Sequence, residues 1–179
     1  LTIKENSDYS KPKKILERSY HLSYPFIFRY NEKYYMMPDS SPNNTIDVYE
    51  CSEFPERWSF HKTLIKNITT MDSTLFHKDG KWWLFTSVTS YQNQKRENEL
   101  FLFYSDNPLS DKWISHPKNP IVSNVKGSRS AGKIFEEDGH ILRPAQDCSE
   151  RYGYGIIFYQ INILNEIDYQ EKEIRVIYP

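Results

Sequence analysis

Short runs of bulky apolar and aromatic residues, broken at brief intervals by Asp, Asn, Gly and Pro, organise this chain. That pattern predicts strands joined by tight turns rather than helices. Three stretches repeat it in register: Tyr24-Pro-Phe-Ile-Phe-Arg-Tyr-Asn-Glu-Lys-Tyr-Tyr35, Asp72-Ser-Thr-Leu-Phe-His-Lys-Asp-Gly-Lys-Trp-Trp83 and Ala131-Gly-Lys-Ile-Phe-Glu-Glu-Asp-Gly-His-Ile-Leu142. Each reads as a strand closing on an aliphatic-Phe pair, a two-residue turn and a second bulky strand. The turn is Asn-Glu once and Asp-Gly twice, and Asp-Gly between strands is a strong short-range hairpin signal. Phe28, Phe76 and Phe135 recur at intervals of 48 and 59 residues.

A second anchor runs in the same register. Phe54-Pro-Glu-Arg-Trp58 returns as Pro108-Leu-Ser-Asp-Lys-Trp113, a Pro-containing turn feeding a Trp that opens an outer strand. Between hairpin and Trp lie further strand-like runs, Thr45–Tyr49 and Glu99–Tyr104. The repeating unit is thus four short strands, the size of one propeller blade. A β-sandwich with similar hairpins is the competing all-β architecture. The repeats divide the chain into blades over about residues 20–67, 69–124 and 126–179, with residues 1–19 (Leu1-Thr-Ile-Lys4 and Lys14-Ile-Leu16) expected to be outer strands of a preceding blade. Three blades are fewer than the minimum of about four that closes a ring. The chain, opening on Leu1, therefore reads as an excised or processed part of a longer protein, with exposed edges prone to self-association.

Composition supports this reading and removes several functions. Aromatic residues make up 16% of the chain and Ala occurs only at Ala131 and Ala145, a balance that suits pleated, half-buried strands. The formal net charge is -1, with no basic stripe beyond Lys11, Lys13 and Lys14, so a nucleic-acid partner is not expected. No run approaches the roughly 20 apolar residues of a membrane-spanning helix, and no signal peptide is visible, which gives a cytoplasmic expectation. Cys51 and Cys148 are too few for a disulfide framework and read as free thiols. His21, His61, His77, His116 and His140 lack ligand-like spacing, so neither a metal nor a cofactor is expected.

Seven motifs follow one another in order: His21-Leu-Ser-Tyr-Pro-Phe26, Tyr35-Met-Met-Pro-Asp39, Phe54–Trp58, Met71-Asp-Ser-Thr-Leu-Phe76, His116-Pro-Lys-Asn-Pro120, Arg129-Ser-Ala-Gly-Lys-Ile-Phe135 and Arg143-Pro-Ala-Gln-Asp-Cys-Ser149. Together they resemble the propeller domain that accompanies the glycosyltransferase domain of plant glucosamine inositolphosphorylceramide transferases, a domain also fused to formyltransferase-like domains in bacteria. That domain is similar to the five-bladed propellers of family 43 glycoside hydrolases. The resemblance implies an all-β propeller present here as about three four-stranded blades of five. It also implies a sugar or glycoconjugate ligand, and a parent chain that supplies the other blades and a transferase-like domain.

Aligning the repeats puts Tyr24, Asp72 and Ala131 at one position, which in such propellers faces a shared axial pocket. Inverting glycosidases need two carboxyl groups about 6.5–9.5 Å apart. Asp72 and Asp39 are the catalytic candidates, and for each a turn role is the competing reading. In the third unit Arg129, Arg143, Gln146 and Asp147 interrupt the apolar pattern set by the other two. Such a break is expected where a site is built, so these four and Tyr24 are the ligand-binding candidates; an internal Arg–Asp network is the alternative. His116 and Asn119 read as turn residues, and Tyr152-Gly-Tyr-Gly155 as strand aromatics with glycines for close approach. Three functions stay open: carbohydrate recognition or glycoconjugate processing, a family 43-type glycosidase using Asp72 with an acid from a missing blade, and a structural spacer.

Overall fold

The computed structural model describes residues 11–91 and 94–179, and within them the chain forms three antiparallel sheets in sequence order. The first contains β1 (Ser23–Tyr30), β2 (Lys33–Asp39), β3 (Thr45–Glu53) and β4 (Arg57–Lys66). The second contains β5 (Ile68–Lys78), β6 (Lys81–Tyr91), β7 (Gln94–Ser105) and β8 (Ile114–Ser115). The third contains β9 (Arg129–Ser130) and β10 (Phe135–Glu137), which share the position beside β11 (His140–Asp147), followed by β12 (Gly155–Leu164) and β13 (Tyr169–Ile177). Each sheet is a meander whose first strand lies innermost.

The hairpin repeat has a common backbone cause. Asn31 and Glu32, Asp79 and Gly80, and Asp138 and Gly139 all hold positive φ, as a type I′ turn demands of both central residues. The turns fix one register, so Phe28 faces Tyr35, Phe76 faces Trp83 and Phe135 faces Leu142. The inner strands also break at one place. The ladders slip between Ser23 and Phe26 and between Met71 and Thr74, and β9 and β10 are separated by residues 131–134.

Two apolar seams join the sheets. Phe26, Phe28, Met37, Val48 and Leu64 of the first pack on Leu75, Leu84, Phe101 and Phe103 of the second. On the other face of the second sheet, Phe76, Trp83, Phe85, Leu100 and Leu102 meet Ile134, Ile161, Leu164 and Tyr169. The second sheet is therefore covered on both faces, while the end sheets keep apolar side chains exposed: Ile27, Tyr34 and Phe60 on the first, Ile156 and Ile177 on the third. Phe26, Phe28, Leu75, Phe76, Ile134 and Phe135, from the inner strands of all three sheets, line an open central hollow of about 560 Å³.

Two expectations are corrected. Lys14-Ile-Leu16 is irregular, not an outer strand; Leu16 lies over Met36, Tyr49 and Trp58 on the free face of the first sheet, and Leu1–Lys4 falls outside the described residues. The strand after Trp113 is only two residues long. The rest of the β7 edge is capped by the following loop: the Asn119 side chain both accepts from the Leu102 N–H and donates to its carbonyl, each at 2.7 Å. Beyond it, the Leu100 N–H donates to the Val122 carbonyl at 2.8 Å. No helix among the described residues is long and apolar enough to cross a membrane.

Candidate functional site

The break in each inner strand turns side chains toward the axis. Tyr24 and Asp72 occupy equivalent positions and both adopt left-handed backbone, with φ 43° and 56°. A non-glycine residue there is uncommon, though Asp tolerates it better than Tyr. In the third sheet Ala131 takes the equivalent position and Gly132, next along, has φ 143°.

Asp72 is the centre of the resulting cluster and is only 4% exposed. Arg129 Nε and Nη2 each lie 2.8 Å from its Oδ2. Gln146 Nε2, which donates to the Ser130 carbonyl at 2.8 Å, lies 3.3 Å from the same oxygen. The convergence follows from strand geometry, since Arg129 and Gln146 are direct partners across β9 and β11 and share a face. Asp72 Oδ1 accepts no hydrogen bond from the described residues. Burial raises the Asp72 carboxyl above its ordinary value, against the opposing pull of Arg129.

Tyr24 joins through the second sheet: its Oη lies 3.1 Å from Thr74 Oγ1. Burial, helped by the Asp72 charge, raises the Tyr24 hydroxyl, so it keeps its proton. Asp39 ends β2 at the same end of the structure, with Oδ1 accepting from the Ser41 N–H at 3.0 Å. Burial raises its carboxyl and the Asp72 charge adds to the effect, while the Ser41 hydrogen bond, Arg129 and His21 oppose it. Tyr152 completes the rim, its ring 5.0 Å from the Arg129 guanidinium carbon and 72% exposed.

Five of the seven candidates, Tyr24, Asp39, Asp72, Arg129 and Gln146, therefore gather at one end of the axis. The structure places Arg143 and Asp147 elsewhere. Side chains alternate along β11, so positions 143 and 147 face away from position 146. Arg143 is fully buried and binds Glu171 through two bonds, Nε–Oε2 at 2.8 Å and Nη2–Oε1 at 2.6 Å, while Nη1 donates to the Gly127 carbonyl at 3.0 Å. Burial would depress this guanidinium, but Tyr169 and Glu171 together raise it. Asp147 accepts from the Ser149 N–H at 2.8 Å and from the Tyr178 hydroxyl at 3.3 Å. Burial pushes its carboxyl up, and these bonds outweigh it and hold the group low.

Three residues were not among the site candidates read from the sequence: Thr74, Tyr152 and Glu171. Thr74 had a visible signal, because it stands where the first repeat has Phe26. Tyr152 belongs to a turn before β12 and not to a strand, and only Gly155 of that tetrad makes a close approach, to Tyr178. His116 Nε2 meets the Asn165 carbonyl at 3.0 Å and Asn119 caps β7, both within the loop. Among the described residues no three His, Cys, Asp or Glu side chains form a metal-holding group.

The family model described as glucosamine inositolphosphorylceramide transferase 1, N-terminal, matches residues 5–178. The chain belongs to this family. Glucosamine inositolphosphorylceramide transferase 1 of Oryza sativa subsp. japonica is 37% identical over 163 residues, covering 90% of this chain and 22% of the rice protein. The Arabidopsis thaliana protein of that name is 37% identical over 161 residues, covering 89% and 21%. The chain thus spans about a fifth of the length of these curated relatives. Among solved structures, a family 43 β-1,3-galactosidase with galactodeoxynojirimycin superposes with TM-score 0.63 at 17% identity, covering 83% of this chain and 44% of that one. A family 43 β-xylosidase/α-arabinofuranosidase from a compost metagenome, in complex with xylotriose, gives TM-score 0.59 at 15% identity, covering 87% and 59%. These likenesses show that the chain has a family 43-type propeller fold.

Proposed function

We propose that this domain recognises a sugar or glycoconjugate at the axial end of its inner strands, within a longer protein that supplies further blades and a transferase domain. The observation that carries the reading is Asp72: a side chain only 6% exposed, fixed through Oδ2 by Arg129 and Gln146, while Oδ1 accepts no hydrogen bond from the described residues. A carboxylate held in place through one oxygen offers the other as an acceptor for a ligand hydroxyl. Asp39, Tyr24 and the exposed Tyr152 ring surround it, and a polar group beside an aromatic face suits a sugar ring. The relatives' length and the sugar-bound family 43 structures support the setting.

Calorimetric titration of the parent protein with glycoside ligands tests this reading. Saturable binding without turnover, lost in Asp72→Ala, is the expected result; no binding to any glycoside refutes it. A second reading, glycoside hydrolysis, has one specific support. Asp39 and Asp72 are two neighbouring carboxyls, and burial raises Asp39 above its ordinary value, as suits a carboxyl that donates a proton. Release of an aryl leaving group by the parent protein, abolished in Asp39→Asn, would favour it.

A further inference from the structure

Resting on that recognition reading, the arrangement around Arg129 restricts which sugars the site accepts. The guanidinium is the obvious anion-binding group at this end of the axis, because arginine grips phosphate or carboxylate through a planar fork. Here one of its two bidentate edges is already engaged: Nε and Nη2 both meet Asp72 Oδ2 at 2.8 Å, and the Tyr152 ring lies 5.0 Å from the guanidinium carbon. Nη1 is the guanidinium nitrogen left without a hydrogen-bond partner among the described residues. Two carboxylates also face the site and offer acceptors, beside the Tyr24 hydroxyl, which can donate as well as accept. Asp72 Oδ1 has no donor among the described residues, and Asp39 uses only Oδ1, on the Ser41 N–H.

A ligand that engages these two carboxylates must therefore bring donors. Arg129 and Asp72 neutralise one another, and Asp39 adds a further acidic group beside them. Lys133, exposed, lines both the central hollow and the smaller apolar hollow beside Tyr24. We propose that the axial site selects sugars presenting hydroxyl or ammonium donors and rejects phosphorylated and carboxylated ones, with Asp72 acting as an internal counter-ion that keeps Arg129 from binding anions. Donor hydroxyls match carboxylate oxygens, whereas an anion set against them meets a like-charge penalty.

The test uses the full chain and four probes in calorimetric titration at low salt: a methyl hexoside, its 2-amino analogue, a hexose 6-phosphate and a hexuronate. The neutral and amino sugars are expected to bind at least about tenfold more tightly than the two anionic ones, the scale of a close like-charge contact. Asp72→Asn should invert the order: it frees the Arg129 fork, so hexose 6-phosphate gains at least about tenfold while the neutral sugar weakens. A merely structural Asp72 would give no such gain. Asp39→Asn, at a half-buried position, should narrow the difference between neutral and anionic probes without unfolding the chain. Equal binding of neutral and anionic sugars by the unmodified chain would overturn the inference and leave the recognition reading standing. Failure of all four probes would overturn both.

Discussion

Converting Glu171 to Gln should cost this domain about 3–5 kcal/mol, the range for stripping one partner from a buried ion pair. Arg143 is the largest fully buried side chain, and Glu171 is 9% exposed. The carboxylate takes two guanidinium bonds at 2.8 and 2.6 Å and also accepts the Tyr169 hydroxyl. Gln preserves the shape but supplies one acceptor oxygen and no charge, leaving a buried guanidinium uncompensated in a low-dielectric seam. Across a chain of this length each kcal/mol moves the midpoint by about 2–4 °C, so the loss amounts to roughly 6–20 °C.

Arg143→Met removes the charge that most needs a partner and lets Glu171 protonate at the edge of the seam, so it should fall at the lower end of that range. The double variant Arg143→Met/Glu171→Leu should be more stable than the sum of the single losses predicts, because apolar replacements of a buried pair are often neutral. Urea unfolding followed by tryptophan fluorescence and by circular dichroism gives all three values, with agreement of the two probes confirming two-state behaviour. Folded variants should bind sugar as the unmodified chain does. A Glu171→Gln loss below about 1 kcal/mol, the worth of an ordinary exposed pair, would refute the buried-pair argument. Sugar binding lost in folded Arg143→Met would return Arg143 to the ligand.

Asn119→Ala should destabilise by about 1–3 kcal/mol, because it orphans the N–H of fully buried Leu102, whose carbonyl keeps the His116 N–H; hydrogen exchange at Leu102 should quicken in parallel. Gly155→Ala should cost about 1–3 kcal/mol in a thermal melt, since a Cβ there would stand 2.9 Å from the Ile177 carbonyl oxygen and 2.7 Å from the Tyr178 ring. Asp39 is raised on folding, so its ionisation works against the folded state above its unfolded value. Asp39→Asn should therefore stabilise the protein at neutral pH and lose that advantage as pH falls from the raised folded value to the ordinary carboxylate one, measured as unfolding midpoints across pH.

The hairpins were legible because one short signal controls them. Asp-Gly between bulky strands demands a type I′ turn, and the turn in turn fixes which Phe meets which partner. Asn31-Glu32 reaches the same turn with a less permissive dipeptide, and only the repeat reveals it. The axial cluster was half legible. Tyr24 and Asp72 came from aligning the repeats and Asp39 from its place as a carboxylate at the end of a strand; Arg129 and Gln146 were found by asking which residues break the apolar pattern, but that test does not say which way a side chain points. Arg143 and Asp147 break the pattern equally well for a different reason, and the period of two along β11 separates them from Gln146. Their partners, Glu171 on β13 and Tyr178 beyond it, depend on the register of a three-strand meander that no local signal announces. The short β8 escaped for a similar reason: Asn119 replaces strand backbone with side-chain amide, and nothing in its neighbours marks that role.

The position of the site follows from the same repeat that builds the fold. Type I′ turns hold the far end of each inner hairpin, and the Phe pairs hold its middle against the seams. Any departure from the ladder is thereby confined to the start of the inner strand. There the backbone kinks in all three sheets, and at Tyr24 and Asp72 it enters a left-handed conformation that costs about 1–2 kcal/mol for a residue with a Cβ. Glycine would remove that cost at either position, yet Tyr and Asp stand there. The kink swings precisely these side chains out of the sheet and toward the axis, where Asp72 meets Arg129 from the next sheet and Tyr24 meets Thr74 from the second. Strain held by a rigid surround is a recurring property of ligand sites. Its recurrence at equivalent positions of two repeats ties the candidate site to the architecture and not to a chance cluster of polar side chains.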